Sequence, residues 1–390
     1  MLLCQLSFYK LNPINKECHN NKSMLDIQNK IGLHLGQNKN QNQIGKNLKD
    51  QAKAVVIHVQ TLIAITILGG LLGCSPYVVH KTEETNEKML IGDQAVMKDG
   101  YRLPLLQLPF EAQEPRAIVL ALHGMNDYRN AFRTLGDYLE SRSIKLIAYD
   151  QRGFGETKGR GYWHGVKTLT ADVIAVSQLI KKDHPRVPLF LLGDSMGGAV
   201  VLAALESLEG QVDYEGIVLV APAVWAKETM PWYQRFSLSL FAHTLPGMIV
   251  SADGLDITPS DNTQMLHALG KDPLVIKETR VDTLYGLSNL MDQALASSSK
   301  LTVPALILYG EHDEIIPKEP ICEMLTILQK NKDLEWQFIL YPDGYHMLTR
   351  DLQAKKVYQD IERWILDMGS GYDRGHSGVN AKDLKSVCEN

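Results

Sequence analysis

Leu189-Phe190-Leu191-Leu192-Gly193-Asp194-Ser195-Met196-Gly197-Gly198-Ala199 decides how the rest of the chain is read. An apolar run stops at Gly193, and an Ala/Val/Leu-rich helical pattern begins directly after Ser195. G-x-S-x-G flanked in this way predicts a buried strand, a sharp turn and a helix, with the serine hydroxyl pushed up at the strand end. Glycines two residues either side of the serine leave room for a turn that side chains would block. The flanking pattern makes Ser195 a candidate nucleophile. Without it, the motif would mark only a strand–helix turn in some other α/β protein.

Outward from this motif, apolar runs alternate with helical patterns. Upstream lie strand Ala117–Leu122, a helix over about 129–142, strand Lys145–Tyr149 and a helix over about 167–182. Downstream lie strands Gly216–Val220, Ala305–Tyr309 and Trp336–Leu340, then a helix from about Leu352 to Leu366. Gln94–Met97 and Leu103–Leu108 read as an antiparallel hairpin turning near Asp99-Gly100. Alternation of this kind predicts an α/β fold, a mostly parallel sheet with helices on both faces. Pro222 to Pro304 breaks the rhythm, with no strong strand, and reads as a helical cap inserted before the last two strands.

A serine hydroxyl needs a base to take its proton, and in such sheets the partners follow in the order Ser, acid, His. Asp313 stands just past the strand ending at Tyr309, and His346 stands in the loop after the last strand. His346 would act as base and then acid, with Asp313 holding its tautomer. Glu311 and Glu314 compete with Asp313, while His164, His184, His267 and His312 fit the base position less well than His346. The oxyanion would be held by the backbone N–H groups of Met196 and of Met125 in the loop His123–Asp127. His123 reads as a hydrogen bonder that orders that loop.

Five stretches in order, His123-Gly124-Met125, Asp150–Thr157, Gly193–Gly198, Gly310–Asp313 and Gly344-Tyr345-His346, together resemble the α/β-hydrolases of the monoacylglycerol lipase and lysophospholipase group. The likeness runs from about residue 90 to 368. It implies an eight-stranded sheet under a helical cap, hydrolysis of carboxylic esters and no cofactor. Asp194 departs from the group's pattern, which often has histidine there. An aminopeptidase of the same fold is a second reading, needing cap carboxylates such as Glu228, Asp253, Asp256 or Asp261 to hold an amine. An inactive surface binding protein is a third, which the intact set of Ser195, Asp313 and His346 disfavours.

The cap stretch Trp225 to Met248 holds nine large apolar residues, Trp225, Met230, Trp232, Tyr233, Phe236, Leu238, Leu240, Phe241 and Leu245, against few cations. That surplus is expected to line an acyl channel or to touch lipid.

A net charge of −5 gives no reason to expect nucleic acid as a partner. The five cysteines are scattered, so neither a metal site nor a disulfide framework is expected. Residues 1–53 form an Asn/Gln/Lys-rich leader read as disordered. Residues 54–74 form an apolar signal or anchor ending in Leu71-Leu72-Gly73-Cys74-Ser75. That ending resembles the lipobox of bacterial lipoproteins, which implies lipidation at Cys74 and an exported, membrane-anchored protein of the cell envelope. A linker over 75–89, a hydrolase core over 90–222 and 304–368, a cap over 223–303 and a flexible tail over 369–390 complete the expected organisation.

Overall fold

Side chains on a strand alternate between two faces, so a strand that is apolar throughout must be covered on both. The computed structural model shows how this chain achieves that. It describes residues 53, 55, 57–61, 75–80, 87–110, 114–251, 254, 256–368 and 388. Cys74, Asp253, the leader apart from residue 53 and the tail from Gly369 apart from residue 388 lie outside the described residues. The chain divides into two units, with a boundary between residues 74 and 75. In the smaller, the described residues between 53 and 61 are helical. Among the described residues, no helix is long and apolar enough to cross a membrane.

The larger unit is built on a nine-stranded sheet of order β1-β2-β3-β5-β4-β6-β7-β10-β11. Its strands are β1 (Met89–Ile91), β2 (Gln94–Val96), β3 (Arg102–Gln107), β4 (Ala117–Leu122), β5 (Ile144–Tyr149), β6 (Leu189–Asp194), β7 (Gly216–Val220), β10 (Ala305–Gly310) and β11 (Trp336–Tyr341). From β5 to β11 every pairing is parallel, and the first three strands are antiparallel. The count exceeds the implied eight because β1, which begins at the last residue of the expected linker, was not anticipated. Its three residues are too few to show a period in sequence.

Alternation along β4 sorts the core. Ile118, Leu120 and Leu122 face one apolar layer, while Ala117, Val119 and Ala121 face the other. The first layer is covered by α2 (Val166–Asp183), α3 (Met196–Leu208) and α7 (Lys318–Gln329), the second by α1 (Arg133–Glu140) and α8 (Ala354–Met368). Helix α7 was not anticipated, although Pro317 caps it and Ile321, Met324, Leu325 and Leu328 bury one face at helical spacing.

Between β7 and β10 lie α4 (Trp232–Thr244), β8 (Ile249–Ser251), α5 (Thr263–Lys271), β9 (Glu278–Arg280) and α6 (Val281–Ser297). The cap is therefore mostly helical, but β8 and β9 pair as a small antiparallel ribbon where no strand was expected. A second correction concerns the cysteines. Cys322 on α7 is bonded to Cys388, with a Cα–Cα distance of 5.8 Å. The partners are 66 residues apart, a separation that carries no pairing signal in sequence.

Candidate active site

Strand β6 ends at Asp194 and α3 starts at Met196, leaving Ser195 alone to turn the chain. Its backbone is forced to φ 52° and ψ −114°, a conformation side chains rarely adopt. The surroundings hold it there. The Ser195 N–H donates to the Val220 carbonyl at 2.9 Å, and the Ser195 carbonyl accepts from Ala223 N–H at 3.0 Å. The flanking glycines are obligatory. A Cβ on Gly197 would stand 2.0 Å from the Leu122 carbonyl oxygen, and one on Gly193 would stand 2.4 Å from Gly198 Cα.

The loops after β10 and β11 bring the other two predicted residues to this turn. His346 Nε2 lies 3.0 Å from Ser195 Oγ, and His346 Nδ1 lies 2.7 Å from Asp313 Oδ2. The second contact fixes the tautomer. Nδ1–H donates to the carboxylate, which leaves Nε2 free to accept the serine proton. The other carboxylate oxygen, Asp313 Oδ1, accepts from the N–H groups of Ile315 at 2.8 Å and Ile316 at 2.9 Å. Burial disfavours the charged imidazole, yet Asp313 beside it and Asp194 nearby outweigh that penalty and raise the His346 pKa above its ordinary value. The competing groups are engaged elsewhere. Glu311 pairs with Lys318 at 3.1 Å, and Glu314 accepts from Thr258 N–H at 2.7 Å.

The loop after β4 carries Met125. His123, fully buried at its start, accepts at Nε2 from Gln151 N–H at 2.9 Å and donates from Nδ1 to the Gly124 carbonyl at 2.8 Å. Burial pushes its pKa down, so it stays neutral and can do both. The Gln151 side chain returns a bond to the His123 carbonyl at 2.7 Å. Asn126, which follows Met125, sits at φ 65° and is tied to the cap by a bond from its amide to Thr279 Oγ1 at 2.7 Å. Sequence reading missed the frame behind these loops. Arg152 is buried between Asp99 and Asp172 with bonds of 2.5 and 2.6 Å, and Asp150 accepts from Arg129 N–H at 2.9 Å and Glu156 N–H at 2.8 Å. Both lie in the Asp150–Thr157 stretch already singled out.

A cavity of about 190 Å³ opens beside Ser195. Met125, Met196, Ser195 and His346 border it, as do Trp225, Leu284, Leu287, Met291, Ile315, Ile316 and Met347. Its polar end is Asp127, Asp194 and Arg350, with Arg350 bonded to Asp127 at 2.6 Å. Of the two roles expected for the cap's apolar residues, lining the acyl channel falls to few of them. Of the nine cap residues named from sequence, only Trp225 borders the cavity. Trp232, Phe236 and Leu245 are exposed at 71%, 63% and 54%, whereas Met230 and Leu238 are buried in the core. Helix α6 supplies the wall instead.

A strained serine bonded to an imidazole that is bonded to a buried carboxylate, on the carboxyl edge of a mostly parallel sheet, defines a site of the serine-hydrolase class. The family described as "Serine aminopeptidase, S33" matches residues 113–353, and the chain belongs to that family. Human monoglyceride lipase is 26% identical over 257 residues, spanning 64% of this chain and 82% of that protein. Monoacylglycerol lipase of Mycolicibacterium smegmatis is 25% identical over 258 residues, spanning 65% of this chain and 89% of its own. The crystal structure of a soluble variant of Saccharomyces cerevisiae monoglyceride lipase superposes with a TM-score of 0.58 at 20% identity, covering 75% of this chain and 98% of that one. This structural likeness shows the α/β-hydrolase fold.

Proposed function

We propose that this protein hydrolyses carboxylic esters of monoacyl lipids, of the monoacylglycerol or lysophospholipid type. Ser195 Oγ attacks the ester carbonyl while His346 Nε2 takes its proton, and the N–H groups of Met125 and Met196 receive the oxyanion. His346 then gives the proton to the leaving alkoxide, and the acyl group stays on Ser195. Water, deprotonated by the same imidazole, releases the fatty acid. The observation that carries this reading is the cavity, where a serine–imidazole–carboxylate chain opens onto a largely apolar wall.

An aminopeptidase would need cap carboxylates facing that cavity. Glu228 and Asp256 are exposed, Asp261 accepts from Leu352 N–H at 2.8 Å, and none of the three borders the cavity. The test is an activity panel on the full-length chain. Medium- or long-chain monoacyl esters should give higher kcat/KM than acetyl esters or aminoacyl amides. An aminoacyl amide cleaved faster than any acyl ester would overturn the reading.

Lipidation at Cys74 and export to a bacterial envelope belong to the same proposal. The Cys322–Cys388 disulfide supports export, since such bonds persist in oxidising compartments. Cells fed an alkyne fatty acid should label the protein, and Cys74→Ser should abolish the label. A mature chain starting at any other residue would overturn the lipobox.

A further inference from the structure

The polar end of the cavity is a set of charges that do not balance. Arg350 Nη2 donates to Asp127 at 2.6 Å, the second Asp127 oxygen accepts from Tyr128 N–H at 2.8 Å, and the buried Arg350 Nε has no partner among the described residues. His346 is engaged by Asp313 and Ser195. Asp194 is also unmatched. It is only 4% exposed and borders the same cavity, and its carboxylate accepts no hydrogen bond from the described residues. Among the described residues that border this end, Arg350 stands against the carboxylates of Asp127 and Asp194, which leaves one negative charge in excess. Burial pushes the Asp194 pKa up to about 6, with Arg350 and His346 opposing and Asp127 and Asp313 adding, and the carboxylate is ionised at pH 8.

An acceptor that borders a cavity and has no donor from the protein is open to a donor that a ligand supplies. The acyl chain of a substrate belongs along the apolar wall, which leaves this end to the alcohol half of the ester. An alcohol rich in hydroxyls would give Asp194 the donors that the protein does not. One bearing a fixed negative charge would meet a like charge beside the reacting ester.

We propose that Asp194 sets leaving-group specificity, selecting esters of uncharged, hydroxyl-bearing alcohols and excluding esters whose alcohol half is anionic. This rests on the ester-hydrolase reading above and narrows it to neutral head groups of the glycerol kind, against anionic lysophospholipids.

The test compares decanoyl esters of glycerol and of 3-hydroxypropanesulfonate, whose charge does not titrate, at pH 8 with the full-length chain. The wild-type protein should prefer the glycerol ester by about tenfold or more in kcat/KM, because like charges brought together are strongly disfavoured. Asp194→Asn, which keeps the shape and removes the charge, should shrink that ratio by about tenfold, mainly through KM for the sulfonate-bearing ester. Asp194→Ser should do the same if the asparagine variant fails to fold. Discrimination unchanged in a folded neutral variant, or absent from the wild-type protein, would overturn the proposal while leaving ester hydrolysis standing. If neither ester is cleaved, the ester reading itself falls.

Discussion

At the scale of residues, the site was legible where chemistry demands a local pattern. The turn at Ser195 announces itself because only glycine fits at Gly193 and Gly197, so the sequence must show them. Asp313 and His346 stand out because strand-end loops are where such partners have to emerge. The Asp127–Arg350 pair was not legible, since it joins loops 223 positions apart and neither residue is unusual in its own neighbourhood. Ser195→Ala should abolish labelling by a fluorophosphonate probe, and Asp313→Asn should lower kcat by about 10⁴-fold through the wrong imidazole tautomer. Undiminished labelling of the alanine variant would remove Ser195 from the chemistry. The base must be neutral to act, and the His346 pKa is raised, so kcat/KM should climb with pH along an acid limb centred above the ordinary imidazole value of about 6.5. Asp194 contributes to that rise, so Asp194→Asn should move the limb to lower pH. For stability the sign is opposite. A raised folded pKa favours the fold below the unfolded value, and that contribution is lost as pH rises through the folded one.

Elements were mostly legible in proportion to their length, although the three-residue β2 was read and the twelve-residue α7 was not. Long apolar runs and long amphipathic helices show their period, whereas β1, β8 and β9 have three residues each and show none. The cap misled for a different reason. Apolar content measures how much surface is available, not which way it faces, and α4 turns Trp232 and Phe236 outward while α6 lines the cavity. An outward aromatic pair on a chain proposed to sit at a membrane is suited to rest on lipid. Inserting each ring is worth about 1.5–3 kcal/mol. Trp232→Ser with Phe236→Ser should therefore weaken binding to phosphatidylcholine vesicles by tenfold or more, while kcat/KM on a soluble short-chain ester stays within about twofold. Equal losses in both measurements would mean that the rings support the cap rather than touch lipid. On α6, Met291→Trp should shorten the preferred acyl chain, read as a shift of the kcat/KM maximum to shorter esters.

At the scale of the whole molecule, the mostly parallel sheet with helices on both faces followed from the alternation of strand and helix, but the covalent link between α7 and Cys388 did not. A bond closing 66 residues restricts the unfolded chain and is worth about 4 kcal/mol in the loop-entropy account. Cys322→Ser should therefore lower Tm by about 5 °C, and reduction should lower the wild-type Tm equally while leaving the variant unchanged. A variant that still responds to reductant would place the stabilisation elsewhere. Helix α6 has a consequence for how such a protein can diversify. Parallel neighbours β7 and β10 need a crossover between them. Helix α6 supplies it, burying Leu290, Ala294 and Leu295 in the core while Leu284, Leu287 and Met291 face the cavity. It cannot be exchanged without unmaking the sheet. The α4 and β8 surfaces carry no such duty, with Trp232, Phe236 and Ile249 exposed. Descendants of this chain are thus free to change the surface they rest on quickly, whereas the length of acyl chain they accept is inherited with the architecture and drifts slowly.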